Sequence, residues 1–503
     1  MNKWTDAETA VASIHDGATI AITGSGGGLL EPDALLQALE QRFLQTGHPR
    51  NLTVVHALGV GDGQGSGLGR LAHAGLVRRV IGGHWVWSSA MQHLAEAGEI
   101  EAYSFPGGVI ATLFREIGAG RPGVITRVGL RTFVDPRVDG GKLNEATTED
   151  LVELVQIGGE EYLRFKPFKV DFALVMASSA DDKGNLSVRH EPADLDIYAV
   201  ALAAHNSGGK VIAQVKRRTD AYVPARLVRV PGILVDTTVE WQAQRQCAVS
   251  EYDPSLSGEA LMEVGDDEKL TVDVMREIVG ERAAQELGRN QSVNFGFGFP
   301  GVIPAILRSQ GRRADYWGSV EQGIHNGSML DGAMFGAARN ADAILPSVDQ
   351  FDFYSGGGID VTFLGMGEFD AEGNVNVSKL GSVVVGPGGF MDIAQGARKI
   401  VFCGAFEAKG LKVTRHDNRL DIVSPGSFPK LVKQVRHITF SGVQARLDGK
   451  EVIYITERAV FRLDPLGVTL IEIAEGVDLQ RDVLSRIEFE PLIADHLLHD
   501  ATH

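Results

Sequence analysis

The stretch "VDFALVMASSADDKGNLSV" (residues 170–188) returns later in the chain as "IDVTFLGMGEFDAEGNVNV" (359–377). Asp171 and Asp360, Asp181 and Asp370, Gly184-Asn185 and Gly373-Asn374, and Lys210-Val211 and Lys399-Ile400 all stand 189 positions apart (360 − 171 = 189). Each copy reads as an apolar strand, a turn built on Asp-x-x-Gly-Asn, a second apolar strand and then a helix. One spacing held from Asp171 to Lys210 marks an internal repeat, so the chain is read as two homologous α/β halves. The runs "GKVIAQV", "KIVFCGAF" and "DFALVMA" are apolar throughout rather than alternating. Such strands are buried on both faces, as in a mostly parallel sheet covered by helices.

Upstream the match weakens. "IAITGSGGGLLEPDALLQAL" (20–39) resembles "VNFGFGFPGVIPAILRS" (293–309), but at an offset of 272 (296 − 24). The first half therefore carries additional residues, placed near 50–130. The acidic stretch "EVGDDEKLT" (263–271) reads as the junction, giving halves of 1–265 and 266–503. After it, "VDVMREIVGERAAQEL" has helical periodicity, with Val272, Met275, Ile278 and Val279 on one face. The C-terminal "EVIYITERAVFRLDPLGVTLIEIA" reads as a meander of alternating strands.

At 503 residues the chain suits two domains rather than one core. A formal net charge of −17 argues against general nucleic-acid binding, which relies on Lys and Arg against phosphates. No apolar run approaches the roughly 20 residues that span a bilayer. The acidic start has no signal-peptide character. Two isolated cysteines, Cys247 and Cys403, give neither a disulfide framework nor a zinc spacing, and Cys403 reads as a buried inert thiol. A cytoplasmic protein is expected.

The loop Gly24-x-Gly26-x-Gly28 is one residue too short for a dinucleotide fingerprint and reads as a strand-to-helix turn. "VGPGGFMDIA" (385–394) precedes a helix, where a free backbone N–H can meet an oxyanion. No metal motif or serine nucleophile elbow is present, and His84 and His325 read as packing or rim residues. In "WGSVEQGIHNG" (317–327), Glu321 is either a turn residue facing water or a carboxylate aimed into a cleft. At the offset of 189 it falls on Thr132, which has no carboxylate.

Together, "RPGVITRVGLRTFVDPR", "GGKLNE", "SVEQG", "FDFYSGGGIDVTFLG", "EGNVNVSKLG", "GPGGFMDIAQGARKIVFCG" and "YITERAVFRL" resemble the family I coenzyme A transferases. The likeness is to the fused single-chain acyl-CoA:acetate/3-ketoacid type and covers essentially the whole chain. It implies fused α and β subunits with the active site between them, a homodimer or homotetramer, and no resident cofactor or metal. Coenzyme A is implied as substrate and covalent intermediate, and small carboxylic acids as the exchange partners. The family nucleophile maps onto Glu321, and an oxyanion-binding backbone N–H onto Gly389, with Gly388 adjoining. The resemblance also places Gln322, Gly323 and Gly386 at the substrate. Lys379 and Lys409 are the candidates for the CoA phosphates, with solvated surface as the competing reading. Trp85, Val86, Trp87 and Tyr354 are candidates for an acyl pocket, with core packing as theirs.

One departure stands out. The family's second oxyanion donor, a glutamine after proline, corresponds here to Gly107 of "SFPGGVIATLF", followed by Gly108. Another group or a water supplies the bond, or the Gly107 site is widened for a bulkier acyl group, or transfer is impaired. An acyl-CoA hydrolase and a non-catalytic acyl-CoA sensor are the alternatives to a transferase.

Overall fold

The computed structural model describes residues 2–220, 223–263, 273–417 and 419–500. The repeated apolar runs form the centre of two sheets. The first sheet contains β1 (Trp4–Thr5), β2 (Thr19–Ile22), β3 (Leu52–His56), β4 (Val77–Gly82), β5 (Glu101–Ser104), β6 (Phe172–Ala180), β7 (Lys210–Arg218) and β8 (Thr237–Glu240). Its order is β1-β8-β7-β6-β2-β3-β4-β5, and each of these neighbours runs parallel. β6 is buried along its whole length, as an unalternating apolar run requires.

The second sheet contains β9 (Gln291–Phe295), β10 (Tyr316–Val320), β11 (Val361–Gly365), β12 (Lys399–Cys403), β13 (Glu451–Ile455), β14 (Ala459–Asp464) and β15 (Gly467–Ala474). It runs β10-β9-β11-β12-β13 in parallel and continues into the antiparallel meander β13-β14-β15. The predicted meander and the helix Val274–Ala284 are both present, the latter burying Ile278 and Val279. The expected junction falls almost wholly on residues 264–272, outside the described residues, and so does Val272.

The repeat is reproduced bond by bond. Asp171 Oδ2 accepts from Thr19 N at 3.0 Å, and Asp360 Oδ2 accepts from Ser292 N at 2.9 Å. Each carboxylate thus ties β6 to β2, or β11 to β9. These pairs correct the upstream offset to 273 (292 − 19), one residue more than the glycine loops suggest. They also redirect the counterpart of Glu321. Val54 of β3 pairs with Ile20, and Gly318 of β10 pairs with Val293, the residue equivalent to Ile20. Glu321, three residues beyond Gly318, therefore matches Ala57, three beyond Val54. Thr132 lies in an irregular turn, its hydroxyl bonded to Gly129 O, and has no strand equivalent. A constant offset fails here because the additional chain lies between β3 and β6, and it runs past the expected 50–130. It includes β4, β5 and the antiparallel sheet of Val124–Thr126, Val152–Ile157 and Glu160–Phe165.

Helices α1 (Asp33–Thr46), α2 (Gly107–Gly118), α3 (Ile197–Asn206), α4 (Ser347–Ser355) and α5 (Phe390–Gly396) cover the sheets. α2 packs on α3 and α4 on α5, and α2 crosses to α4 and α5, so these four form the seam between the halves. Ile110, Phe114, Ala203, Phe351, Tyr354 and Met391 share one apolar cluster there. Gly108 lies against Phe351, where a Cβ would sit 2.4 Å from the ring. Polar ties close the seam: Gly108 N donates to Asp392 Oδ2 at 3.0 Å, and Ser347 N to Leu195 O at 2.9 Å.

Candidate active site

Glu321-Gln322-Gly323 is the three-residue loop of a tight hairpin. Val320 pairs antiparallel with Ile324, Gly323 N donates to Val320 O at 3.0 Å, and Gly323 takes φ +95°. Glycine at the last position of such a loop supplies the left-handed conformation. A side chain there would also strike Leu345 O. Glu321 is thereby fixed at the end of a parallel strand, where open α/β sheets place their ligands. It faces a cavity of about 330 Å³. Most of the walls come from the second half, including Phe297, Phe335, Leu364, Met366, Leu380 and Phe390. Among the described residues that line it, His84 alone comes from the first half.

The carboxylate meets the loop before α5. Gly389 N donates to Glu321 Oε2 at 2.9 Å. A Cβ on Gly389 would lie 2.1 Å from that oxygen, so only glycine lets the backbone approach so closely. Gln322 Nε2 stands 3.5 Å from Oε1 and 3.2 Å from Ser25 Oγ, which it reaches across the seam. Burial pushes the Glu321 carboxyl from 4.5 up to about 7, opposed by the Gly389 N–H and then by Gln322. The side chain is half-buried, but its remaining exposure is to the cavity, so desolvation still prevails. The water-facing turn is excluded: the carboxylate is raised in basicity, anchored at one oxygen and directed into a cleft.

The other expected positions separate. Gly386, Gly388 and Gly389 line the cavity with Glu321. Gly107 and Gly108 do not line it. Gly107 N donates to Gly388 O at 2.7 Å, and a Cβ there would sit 3.0 Å from Ala57 O and Leu58 Cδ2 and 3.1 Å from Gly388 C. Neighbouring backbone therefore fills the Gly107 position, which is not widened. Tyr354 is core rather than pocket: it is fully buried, donates to Ser319 Oγ at 3.1 Å and receives a bond from Asn294 Nδ2 at 3.4 Å.

Trp85 is likewise buried, Val86 is exposed, and Trp87 packs against Gly26 and Gly59, so none of the three lines the cavity. Lys379 adjoins it in sequence, yet its Nζ donates to Leu143 O at 3.3 Å. Lys409 lies over the Phe428 ring, 4.7 Å from its centre. His325 accepts from Trp317 Nε1 at 2.8 Å, away from the cavity. Cys403 is buried and its thiol is raised by that burial.

Asp392 escaped the sequence reading, and His84, expected as a packing or rim residue, lines the cavity. Asp392, on α5, is buried against the start of α2 and pushed up to about 8 by burial, despite the Gly108 N–H, with the Glu321 charge adding to the rise. Among the described residues no His/Cys/Asp/Glu group suits a metal ion, and no helix is long and apolar enough to cross a membrane.

A family model described as "Coenzyme A transferase" matches residues 4–240. The chain is 41% identical over 494 residues to acetate CoA-transferase YdiF of Escherichia coli (strain K12), spanning 98% of this chain and 93% of that protein. Caffeate CoA-transferase of Acetobacterium woodii is 40% identical over 507 residues, 99% and 96% of the two chains. The crystal structure of acyl-CoA transferase YdiF of E. coli O157:H7 in a thioester complex with CoA superposes with a TM-score of 0.94 at 39% identity, covering 99% of this chain and 95% of that one. The chain belongs to the coenzyme A transferase family. Its activity is accordingly that of an enzyme moving coenzyme A between carboxylic acids.

Proposed function

We propose that Glu321 is the nucleophile of a ping-pong exchange of CoA between short-chain carboxylic acids. The observation that carries this is the half-buried Glu321 carboxylate at the cavity, held by the Gly389 N–H at 2.9 Å with no cation paired to it among the described residues. Glu321 attacks the carbonyl of an acyl-CoA, forming a mixed anhydride and releasing CoA thiolate. The thiolate attacks the glutamyl carbonyl, leaving a glutamyl-CoA thioester and a free carboxylate. A second carboxylate reverses these steps and departs as its CoA ester. Dividing the exchange in this way avoids direct attack by one weak nucleophile on a distant thioester.

Charge on the glutamyl oxygen develops where the Gly389 N–H already points, and Gly388 and Gly386 keep the adjoining wall free of side chains. The pantetheine arm lies along Phe297, Leu364, Met366 and Phe390. Relatives named for acetate and for caffeate support a carboxylate acceptor, and the thioester held in the related crystal structure supports the covalent intermediate. CoA is substrate and intermediate, with no resident cofactor. The two halves divide near residue 265, and the enzyme is a cytoplasmic homodimer or homotetramer.

The test is acyl-CoA added without acceptor, followed by peptide mass spectrometry. A CoA adduct is expected on the peptide containing Glu321, and none in Glu321→Ala. Unchanged turnover in Glu321→Ala would sink the reading. Free CoA accumulating without a carboxylate acceptor marks hydrolysis instead, and stabilisation by acyl-CoA without any turnover marks a sensor.

A further inference from the structure

The exchange develops negative charge on two different oxygens, and the Gly389 N–H serves one of them. Attack on the glutamyl carbonyl places charge on Glu321 Oε2, which faces Gly389 N. Attack by Oε1 on an acyl-CoA places charge on the oxygen of the substrate. Gln322 Nε2 is engaged by Ser25 and by Oε1 itself. Gly107, where a second donor is expected, gives its N–H to Gly388 O and has no side chain.

His84 faces that gap. Its loop is fastened to the segment that carries the oxyanion site: Gly388 N donates to Gly83 O, and Trp85 N to Val385 O, both at 2.8 Å. The point where a Cβ on Gly388 would sit is 3.5 Å from His84 Cδ2 and 3.8 Å from Glu321 Oε1. The Cδ2–Nε2 edge of the ring and the attacking oxygen therefore border one small space within the cavity.

Nδ1 is on the other side, buried with no hydrogen-bond partner among the described residues, 3.2 Å from the Cβ position of Gly59. A buried N–H without an acceptor is rarer than an unpaired lone pair, which puts the ring proton on Nε2. Burial, with His56 adding, pushes the ring down to about 4, so at neutral pH it donates without forming an ion pair with the nucleophile.

We propose that His84 is a catalytic residue supplied by the first half: Nε2–H donates to the acyl carbonyl oxygen of the substrate as Glu321 Oε1 attacks. This rests on Glu321 as nucleophile. The Oε1–C bond forms while the carbonyl π pair moves onto the oxygen held by His84. Collapse restores the carbonyl, breaks the C–S bond and releases CoA as thiolate, with no proton consumed.

The test separates the two oxygens. Wild type, His84→Phe and His84→Gln are mixed with acetyl-CoA, and the rate of adduct formation on the Glu321 peptide is measured. The isolated thioester is then cleaved with hydroxylamine, which attacks only the glutamyl carbonyl. In His84→Phe, formation should slow about 10²-fold, cleavage should stay within about threefold of wild type, and His84→Gln should recover formation to within about tenfold. Wild-type formation in His84→Phe overturns the proposal. Equal slowing of both steps also overturns it, since that is what a structural role predicts. Should His84→Phe not fold, His84→Met serves as the variant without a donor, judged by the same two rates. A wild-type protein with no adduct on Glu321 overturns the nucleophile and this inference together, whereas an adduct formed equally well without His84 overturns the inference alone.

Discussion

The two halves share their strands and differ at the ends of two of them. In the first half, β3 runs into Ala57, which is buried, with its carbonyl closed in by Gly83 and Gly107. In the second, β10 ends in a hairpin loop that carries Glu321 to the cavity. The helix after the repeat differs in the same sense. Asn185 to Lys210 and Asn374 to Lys399 are equal steps (210 − 185 and 399 − 374, both 25), so Gly389 stands where Val200 does. Val200 N is spent inside the first turn of α3, bonded to Asp196 O at 3.0 Å. The matching turn of α5 is replaced by Gly386-Pro387-Gly388-Gly389, and the N–H of Gly389 turns to Glu321 instead. The two copies thus differ by an open hairpin loop and an unwound turn above strands that they share.

The strongest way to break this comparison is to move the carboxylate. Glu321→Ala should lower turnover by about 10⁴-fold or more, and adding Ala57→Glu should restore none of it. An Ala57 carboxylate would be buried with no cation, and loss of about 3–5 kcal/mol in stability is the expected scale. Steady-state kinetics and a urea melt of both variants check this; any rescue would show that the first half also offers a working site. Next in size is Gly389→Ala. Its Cβ would press on Glu321 Oε2 and on Phe351 Cε1 and move the carboxylate off its donor. A fall of about 10²–10³-fold in kcat is expected, as for the loss of one oxyanion donor.

The shared scaffold was legible in the sequence because its signals are local. The unalternating runs of β6 and β11, and the Asp-x-x-Gly-Asn turns, each fold on contacts within a few residues or with an adjacent strand. Glu321 and Gly389 were singled out through resemblance; the structure brings the Gly389 N–H to the carboxylate and adds why glycine is needed beside it. The equivalence of Glu321 with Ala57 was not legible, because chain inserted between β3 and β6 breaks a constant offset. Only strand register shows it. Asp392 was missed, and His84 was read as packing or rim, for a related reason. Each meets the other half across the seam, where the partner loop lies hundreds of positions away and carries glycines with no distinctive side chains. Tyr354 misled in the other direction, since an aromatic beside a glycine cluster reads equally as pocket or as core.

The titration of Glu321 sharpens the comparison more gently, because Ala57 has nothing to titrate. In the proposed exchange, attack needs the ionised form of Glu321, whose carboxyl burial pushes up to about 7. Adduct formation should therefore rise with pH through about 7, falling about tenfold per pH unit well below it. Stability carries the opposite sign. A carboxyl raised from 4.5 to about 7 holds its proton more tightly in the folded state. Its stabilising effect is complete below 4.5 and is lost as pH rises through 7. Glu31, Glu191, Asp196 and Asp392, all buried and raised, share that sign, so the total curve does not isolate one group. The difference between Glu321→Gln and wild type does. It should favour the variant increasingly from pH 5 to pH 8, by about 1.4 kcal/mol per unit at most; a flat difference in denaturation midpoints would mean that Glu321 is not desolvated.

The smallest effects are expected where the halves are most alike. Asp181 Oδ1 accepts from Lys183 N and Asn185 N, both at 2.9 Å, and Oδ2 accepts from Asn185 Nδ2 at 2.8 Å. Asp370 repeats the pattern at 3.1 Å with Glu372 N, Asn374 N and Asn374 Nδ2. It differs in depth: Asp370 is buried and also accepts from Val435 N at 2.9 Å, while Asp181 keeps part of its surface in water. Replacing either by Ala leaves backbone donors unpaired, but around Asp181 water can take them. Asp370→Ala should therefore cost about 3 kcal/mol and Asp181→Ala about 1 kcal/mol. Denaturant melts of the two variants give the order directly. Equal losses would mean that the identical turn, rather than its burial, sets the cost, and a larger loss at Asp181 would place the more critical copy in the half without Glu321.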